Sequence, residues 1–193
     1  MISKFRIGAL VIILNFFASV AMIWGQDNPS LLQMAVPSLN IAPDARGGGM
    51  GDMGAATLPD INSQYWNAAK YAFMGSKAGV SLSYTPWLRK LVNDVALVNM
   101  TGYYKLGNSD LQAISASLRY FSLGEVNIWE NIGDVPYGLN PYEMAFDVAY
   151  SRKLSESYSM AVTLRYIRSD MGTDQNDESN AGNAFSADIS GYL

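Results

Sequence analysis

From residue 79 onward, apolar and polar side chains alternate with period two, and no apolar run after residue 25 is long enough for a membrane-crossing helix. Period-two alternation is the signature of β-strands with two unlike faces. Any crossing of a membrane beyond residue 25 must therefore use strands closed into a barrel. Tyr142–Ser151 shows the pattern well. One face carries Tyr142, Met144, Phe146, Val148 and Tyr150, and the other Glu143, Ala145, Asp147, Ala149 and Ser151. In Ser157–Tyr166 the apolar face is Tyr158, Met160, Val162, Leu164 and Tyr166, with Ser157, Ser159, Ala161, Thr163 and Arg165 opposite.

Both apolar stripes begin and end in tyrosine. Eight residues at ~3.3 Å make ~26 Å of strand. A tilt of ~40° reduces this to a height of ~20 Å, near the ~25 Å apolar band between the aromatic girdles of a membrane barrel. Tyrosine suits that depth because its ring is apolar and its hydroxyl reaches water. Similar faces recur in Val80, Leu82 and Tyr84, and in Ala96, Val98, Met100, Gly102 and Tyr104. Ile114, Ala116, Leu118 and Tyr120 alternate with Ser115, Ser117 and Arg119, and Phe185, Ala187, Ile189, Gly191 and Leu193 lie opposite Asp188.

Six strands are predicted, starting near Gly79, Asp94, Asp110, Pro141, Ser157 and Asn183. Their links alternate in length. Leu106–Ser109 and Leu154–Glu156 are tight turns, whereas Gly124–Asn140 and Ser169–Gly182 are long loops, and Leu88–Asn93 falls on the long-loop side. Val126–Trp129 reads as strand-like within its loop. Short periplasmic turns and long outer loops are the habit of bacterial barrels. A hairpin at Leu154–Glu156 would pair Tyr150 with Tyr158 and Tyr142 with Tyr166, setting Glu143 opposite Arg165 in the lumen. A soluble β-sandwich also alternates, but tyrosine at both stripe ends and alternating loop lengths favour the barrel. Six or seven strands fall short of the ~8 that close the smallest barrel. The expectation is thus an all-β transmembrane antiparallel β-barrel of which this chain is an N-terminal fragment.

Residues 1–25 open with Lys4 and Arg6 and run apolar from Ile7 to Trp24, broken by Asn15. That reads as a secretory signal peptide, with cleavage after Ala21 or Gly25, the competing reading being a membrane-anchoring helix. Its removal takes away two of the 13 basic residues and none of the 17 acidic ones. The remaining acidic balance argues against nucleic acid as a partner. Residues 26–78 hold Pro29, Pro37, Pro43, Pro59 and the run Gly47-Gly48-Gly49, and keep no alternation. They read as an irregular or short-helical segment, leaving 79–193 as the incomplete barrel.

Charged residues make up 16% of the chain, against about 25% in soluble domains. There is no Cys and no His. Disulfides, thiolate chemistry and every Ser-His-Asp arrangement are excluded, so no catalytic, cofactor or metal residues are expected. Gly49-Met50-Gly51-Asp52-Met53-Gly54 fits G-x-G-x-x-G, but Pro43-Asp44 precedes it where a dinucleotide site needs a strand. Tight backbone packing is the better reading. Asp174, Asp177 and Glu178 lack EF-hand spacing and read as a solvated loop rather than a calcium site. Glu143 and Asp147, four residues apart on one strand face, read as polar lumen lining.

Three stretches carry a family resemblance: Asn28-Pro29-Ser30-Leu31-Leu32-Gln33-Met34, Asp44-Ala45-Arg46-Gly47-Gly48-Gly49-Met50-Gly51 and Gln64-Tyr65-Trp66-Asn67-Ala68-Ala69. They resemble the PorV and PorQ group of FadL-like outer-membrane proteins, which serve type IX secretion in Bacteroidetes. The wider family's Asn-Pro-Ala element reads Asn67-Ala68-Ala69 here, without its proline. The resemblance covers residues 26–193. It implies a 14-stranded barrel with residues 26–78 as a hatch in the lumen, in the outer membrane of a Gram-negative cell. It implies a non-enzymatic shuttle that takes cargo by its C-terminal domain from the translocon channel protein to the PorU sortase at the surface. The alternative is a FadL-type transporter of hydrophobic small molecules. Cargo recognition is expected on the long loops, with Trp129, Tyr137, Asp174, Asp177 and Glu178 as contacts. Arg46, Gly47, Gly48, Gly49 and Asn67 are expected to be structural parts of the hatch, Arg46 pairing with a lumen acid and Asn67 tying down a turn.

Overall fold

A computed structural model describes residues 36–87, 94–107, 111–128, 137–173 and 179–193. The expected signal peptide, the Leu88–Asn93 link, and Trp129, Asp174, Asp177 and Glu178 lie outside the described residues. Tyr137 is described through its backbone.

The chain folds as an antiparallel meander. The six strands of the main sheet are β1 (Ala78–Pro86), β2 (Val95–Leu106), β3 (Gln112–Leu123), β6 (Tyr142–Lys153), β7 (Ser159–Thr173) and β8 (Ser179–Tyr192), each paired with its neighbour in that order. They are the six strands that the alternation predicts. Between β3 and β6 a small ribbon forms from β4 (Val126–Ile128) and β5 (Tyr137–Leu139). No described helix is long and apolar enough to cross a membrane.

The sheet is inverted relative to a soluble core. Its apolar face is open: Leu82 is 72% and Leu164 62% exposed, with Val80, Met100, Leu118, Phe146, Val148 and Ile189 beside them. Its polar face is covered: Glu143 is 1% and Arg119 4% exposed, and Asn99, Thr101, Ser115, Ser117, Asp147, Ser151 and Thr163 are buried too. The cover is residues 36–77. This stretch forms a 3₁₀ turn (Pro37–Asn40), α1 (Ala45–Gly49), α2 (Ser63–Trp66) and a second 3₁₀ turn (Ala68–Phe73). Asp44 caps α1 by accepting from the Gly47 amide at 2.8 Å, as an N-cap side chain should. Small residues let the second 3₁₀ turn approach the sheet: Ala68, Ala69 and Tyr71 pack on Tyr103, Ala113, Ala149 and Ala161. The Tyr71 and Tyr103 rings stack at 4.9 Å.

Two expectations need correction. The register between β6 and β7 is displaced by four residues. Tyr150 faces Val162 and Tyr142 faces Asp170, so Arg165 faces Asp147, and Glu143 faces Ser169. Leu154 and Ser155 both donate to the Tyr158 carbonyl, so Tyr158 belongs to the turn rather than the strand. An even displacement keeps every side chain on its expected face, which is why the alternation could not detect it. The long loop at Ser169–Gly182 is also mostly strand. Pairing runs through Ser169↔Gly182 and Asp170↔Ala181, then past an irregularity to Thr173↔Ser179. Backbone ladders need no apolar side chains, so a strand end that is polar on both faces leaves no alternation to read.

Candidate functional site: the covered polar face

The inner face carries a connected set of charges. Arg165 on β7 donates to Asp147 on β6, which also accepts from Ser117 on β3 at 2.9 Å. Asp188 on β8 lies 3.7 Å from the other side of Arg165. One guanidinium thus bridges carboxylates from both flanking strands, and neighbouring strands deliver these groups because their inward residues align across the ladder. Asp147 is 8% exposed, so a carboxylate removed from water has an ion pair and a hydroxyl for compensation.

Nearer the long-loop end, two wall residues hold one residue of the covering segment. Ser38 donates its backbone N–H to Glu143 Oε2 at 3.0 Å, and its carbonyl accepts from Arg119 Nη1 at 3.0 Å. The Arg119 guanidinium also lies 4.4 Å from the centre of the Tyr65 ring, and Tyr65 donates to the Leu39 carbonyl at 2.9 Å. Towards the short-turn end, Ser115 donates to Gln64 Oε1 at 2.6 Å and Ser159 to the Ala69 carbonyl at 2.7 Å. Neither clamp was visible from the sequence. Arg119 stood out only as an inward charge within an alternating strand.

The covering segment is tied internally. Asn67 Oδ1 accepts from the Ala69 amide at 3.1 Å, while its Nδ2 donates to the carbonyls of Ala55 and, from β8, Gly191. Lys70 is fully buried and donates to the Gly54 carbonyl at 2.8 Å and to Thr57 Oγ1 at 3.1 Å. Burial holds its ammonium below the usual lysine range, with Asp60 partly opposing. Burial likewise pushes the Tyr71 hydroxyl upward. Arg46 does not reach an acid of the sheet. It pairs with Asp60 of its own segment at 3.0 Å, because α1 holds it where a local acid is nearer than the wall. In the glycine run, Gly47 packs on the Trp66 indole, and Gly48 and Gly49 are unconfined. Gly51 and Asp52 both turn with positive φ, at 77° and 57°.

At the long-loop end the β4–β5 ribbon leans on β7, where a Cβ on Gly172 would lie 3.1 Å from Leu139. Tyr137 opens β5, so one expected contact residue sits in this ribbon. Among the described residues no group of three or more acidic, His or Cys side chains is placed to hold a metal. The inward Asp147 carboxylate is taken up by Arg165 and Ser117.

A family model described as type IX secretion system protein PorV matches residues 25–193. The chain belongs to the PorV family. It is therefore a component of type IX protein secretion, and this family is not known as one of enzymes. No curated protein matches the chain. Family membership gives the quoted stretches a physical meaning. Asp44-Ala45-Arg46-Gly47 is a capped helical turn closed by Trp66, and Gln64 to Ala69 is the stretch that bonds to β3, β7 and β8.

Proposed function

We propose that this protein is an outer-membrane adaptor of type IX secretion, which binds secreted cargo by its C-terminal domain and carries it from the translocon channel to the PorU sortase at the cell surface. The observation that carries the reading is the inverted sheet, with an open apolar face between tyrosines and a covered polar face. A sheet so built is suited to hydrocarbon on one side and a filled lumen on the other. On this reading residues 1–25 are a cleaved signal peptide. Residues 26–78 are the hatch, and residues 79–193 are wall strands of a 14-stranded FadL-like barrel in the lipid bilayer. Trp129, Tyr137, Asp174, Asp177 and Glu178 belong to the outward loops that meet cargo.

The polar inner face, filled by the covering segment, supports an adaptor over a carrier of hydrophobic small molecules, which needs an apolar pocket. The test is deletion of the gene in its host, followed by surface labelling and fractionation of a cargo protein. Cargo lost from the surface and retained in the periplasm or on the translocon is the expected result. Normal display of cargo, with impaired uptake of a fatty acid, would replace this reading with the transporter.

A further inference from the structure

The Arg119–Glu143 pair does something unusual for strand residues: it grips the backbone of one residue rather than a side chain. Glu143 takes the N–H of Ser38 and Arg119 takes its C=O, each at 3.0 Å, from strands that are direct neighbours in the sheet. Backbone groups are common to every polypeptide, so a clamp of this kind does not depend on the sequence it holds.

Nor is the clamp saturated. Glu143 is 1% exposed, yet its Oε1 has no hydrogen-bond partner among the described residues. A buried carboxylate with one neutral donor is a poor way to hold a strap, because desolvation of the charge is offset by a single bond. Towards the short-turn end of the same face, Gln64 is 3% exposed and its Nε2 is also without a partner among the described residues. Beside the gripped residue itself there is one open acceptor, the Glu143 Oε1. The occupant, Pro37–Asn40, is a single 3₁₀ turn, and its N-cap makes no side-chain hydrogen bond.

We propose that Arg119 and Glu143 form a backbone-recognition site for a short peptide turn on the covered face of the sheet, and that the chain's own residues 36–41 occupy it as an internal stand-in. The ligand class is a short polypeptide segment whose central residue gives its N–H to Glu143 and its C=O to Arg119. A neighbouring amide or basic side chain would fill the open oxygen of Glu143. The strap then acts as a competitor: peptide enters when residues 36–41 leave.

The test uses the intact protein purified from its host's outer membrane, with fluorescein-labelled synthetic peptides as probes. One copies residues 36–41, and the second carries Leu39→Lys in the same sequence. Two variants open the site: deletion of residues 36–41, and Ser38→Pro, which removes the gripped N–H and leaves the chain length unchanged. Heat-modifiable gel mobility confirms that each variant is folded. The expected result is binding to both variants on the order of tenfold tighter than to wild type, the worth of one charge-assisted hydrogen bond. Binding should fall back when Glu143→Ala is added, and the lysine peptide should bind the opened site more tightly than its parent. Folded, opened variants that bind neither peptide would overturn the proposal. Equal binding to wild type and opened protein would overturn it too, since the strap would then not be the competitor.

Discussion

Gly54 sits against the Trp66 indole so closely that a Cβ there would lie 2.2 Å from the ring carbons. Gly47 meets the same ring, at 2.9 Å from its would-be Cβ. The Trp66 Nε1 points to Asp44 at 3.4 Å, and Asp44 also caps α1. One indole therefore locks both ends of the glycine-rich stretch. Gly54→Ala should destabilise the protein by about 1–3 kcal/mol, the range for overpacking a filled site. Gly49→Ala has nothing within 4 Å and lies in a helical turn, so it should be neutral or stabilising by up to about 1 kcal/mol. Urea unfolding from lipid vesicles checks both, and equal effects at the two positions would refute the packing role of Trp66.

The partner of Arg165 decides between two registers of the β6–β7 hairpin. In the structure it is Asp147, whose side chain is 8% exposed against 20% for Arg165. Asp147→Ala should cost about 2 kcal/mol. That is less than the ~3–5 kcal/mol of a fully buried broken pair, because Arg165 keeps some water and Asp188. A double-mutant cycle of Asp147→Ala with Arg165→Ala should show coupling, and one of Glu143→Ala with Arg165→Ala should not. The reverse result would restore the pairing suggested by the tyrosines.

Lys70 gives stability a pH dependence of known sign. Its folded pKa is held below the unfolded 10.5 by burial. Between the two values the unfolded chain binds more protons than the folded one, so the Lys70 contribution rises with pH across that window. Below the folded pKa the cost of burying the ammonium is present in full. Tyr71 acts oppositely: its raised pKa means stability is lost as pH climbs above 10.0. Comparing wild type with Lys70→Met isolates the lysine. The difference between them should grow in favour of wild type as pH approaches 10.5. Met should also lower stability at neutral pH less than a simple lost bond implies, since it removes a desolvated charge along with its bonds to Gly54 and Thr57. A difference that stays flat with pH would mean Lys70 is not desolvated as described.

The wall of this fold was readable because its two faces have opposite chemistry. Val80, Leu82, Leu118, Phe146, Val148 and Leu164 all point to the open side, as the alternation requires. Register was not readable. The tyrosines that suggested pairing Tyr150 with Tyr158 bound the apolar stripe of each segment separately, and a five-residue turn shifts one against the other. The strand ends from Ser169 and to Gly182 were hidden because pairing there is carried by backbone alone. The covered site was hidden for a different reason. Ser38 and Glu143 are 105 residues apart, and one of the two contributes only its peptide group. No side-chain pattern records such a contact. Arg46 illustrates the same limit, since the choice between Asp60 and a wall acid depends on where α1 stops.

The depth of the open face can be measured residue by residue. Val148 lies in the middle row of the apolar band, facing Ala116 on one side and Leu164 on the other. Tyr120 lies near its end, where it stacks with Tyr142 at 5.5 Å. Both are similarly open, at 45% and 41% exposed. On a water-facing sheet, Arg at either position would change stability by no more than ~0.5 kcal/mol. In a bilayer the two must differ: Val148→Arg should cost about 2–4 kcal/mol and Tyr120→Arg about 0–1 kcal/mol, beyond the loss of its ring contact. Urea titrations of both variants in phospholipid vesicles separate the cases. A steep cost at Val148 with a small one at Tyr120 places hydrocarbon against the middle of the sheet. Small, equal costs would place water there, and the open apolar face would then have to be covered by protein.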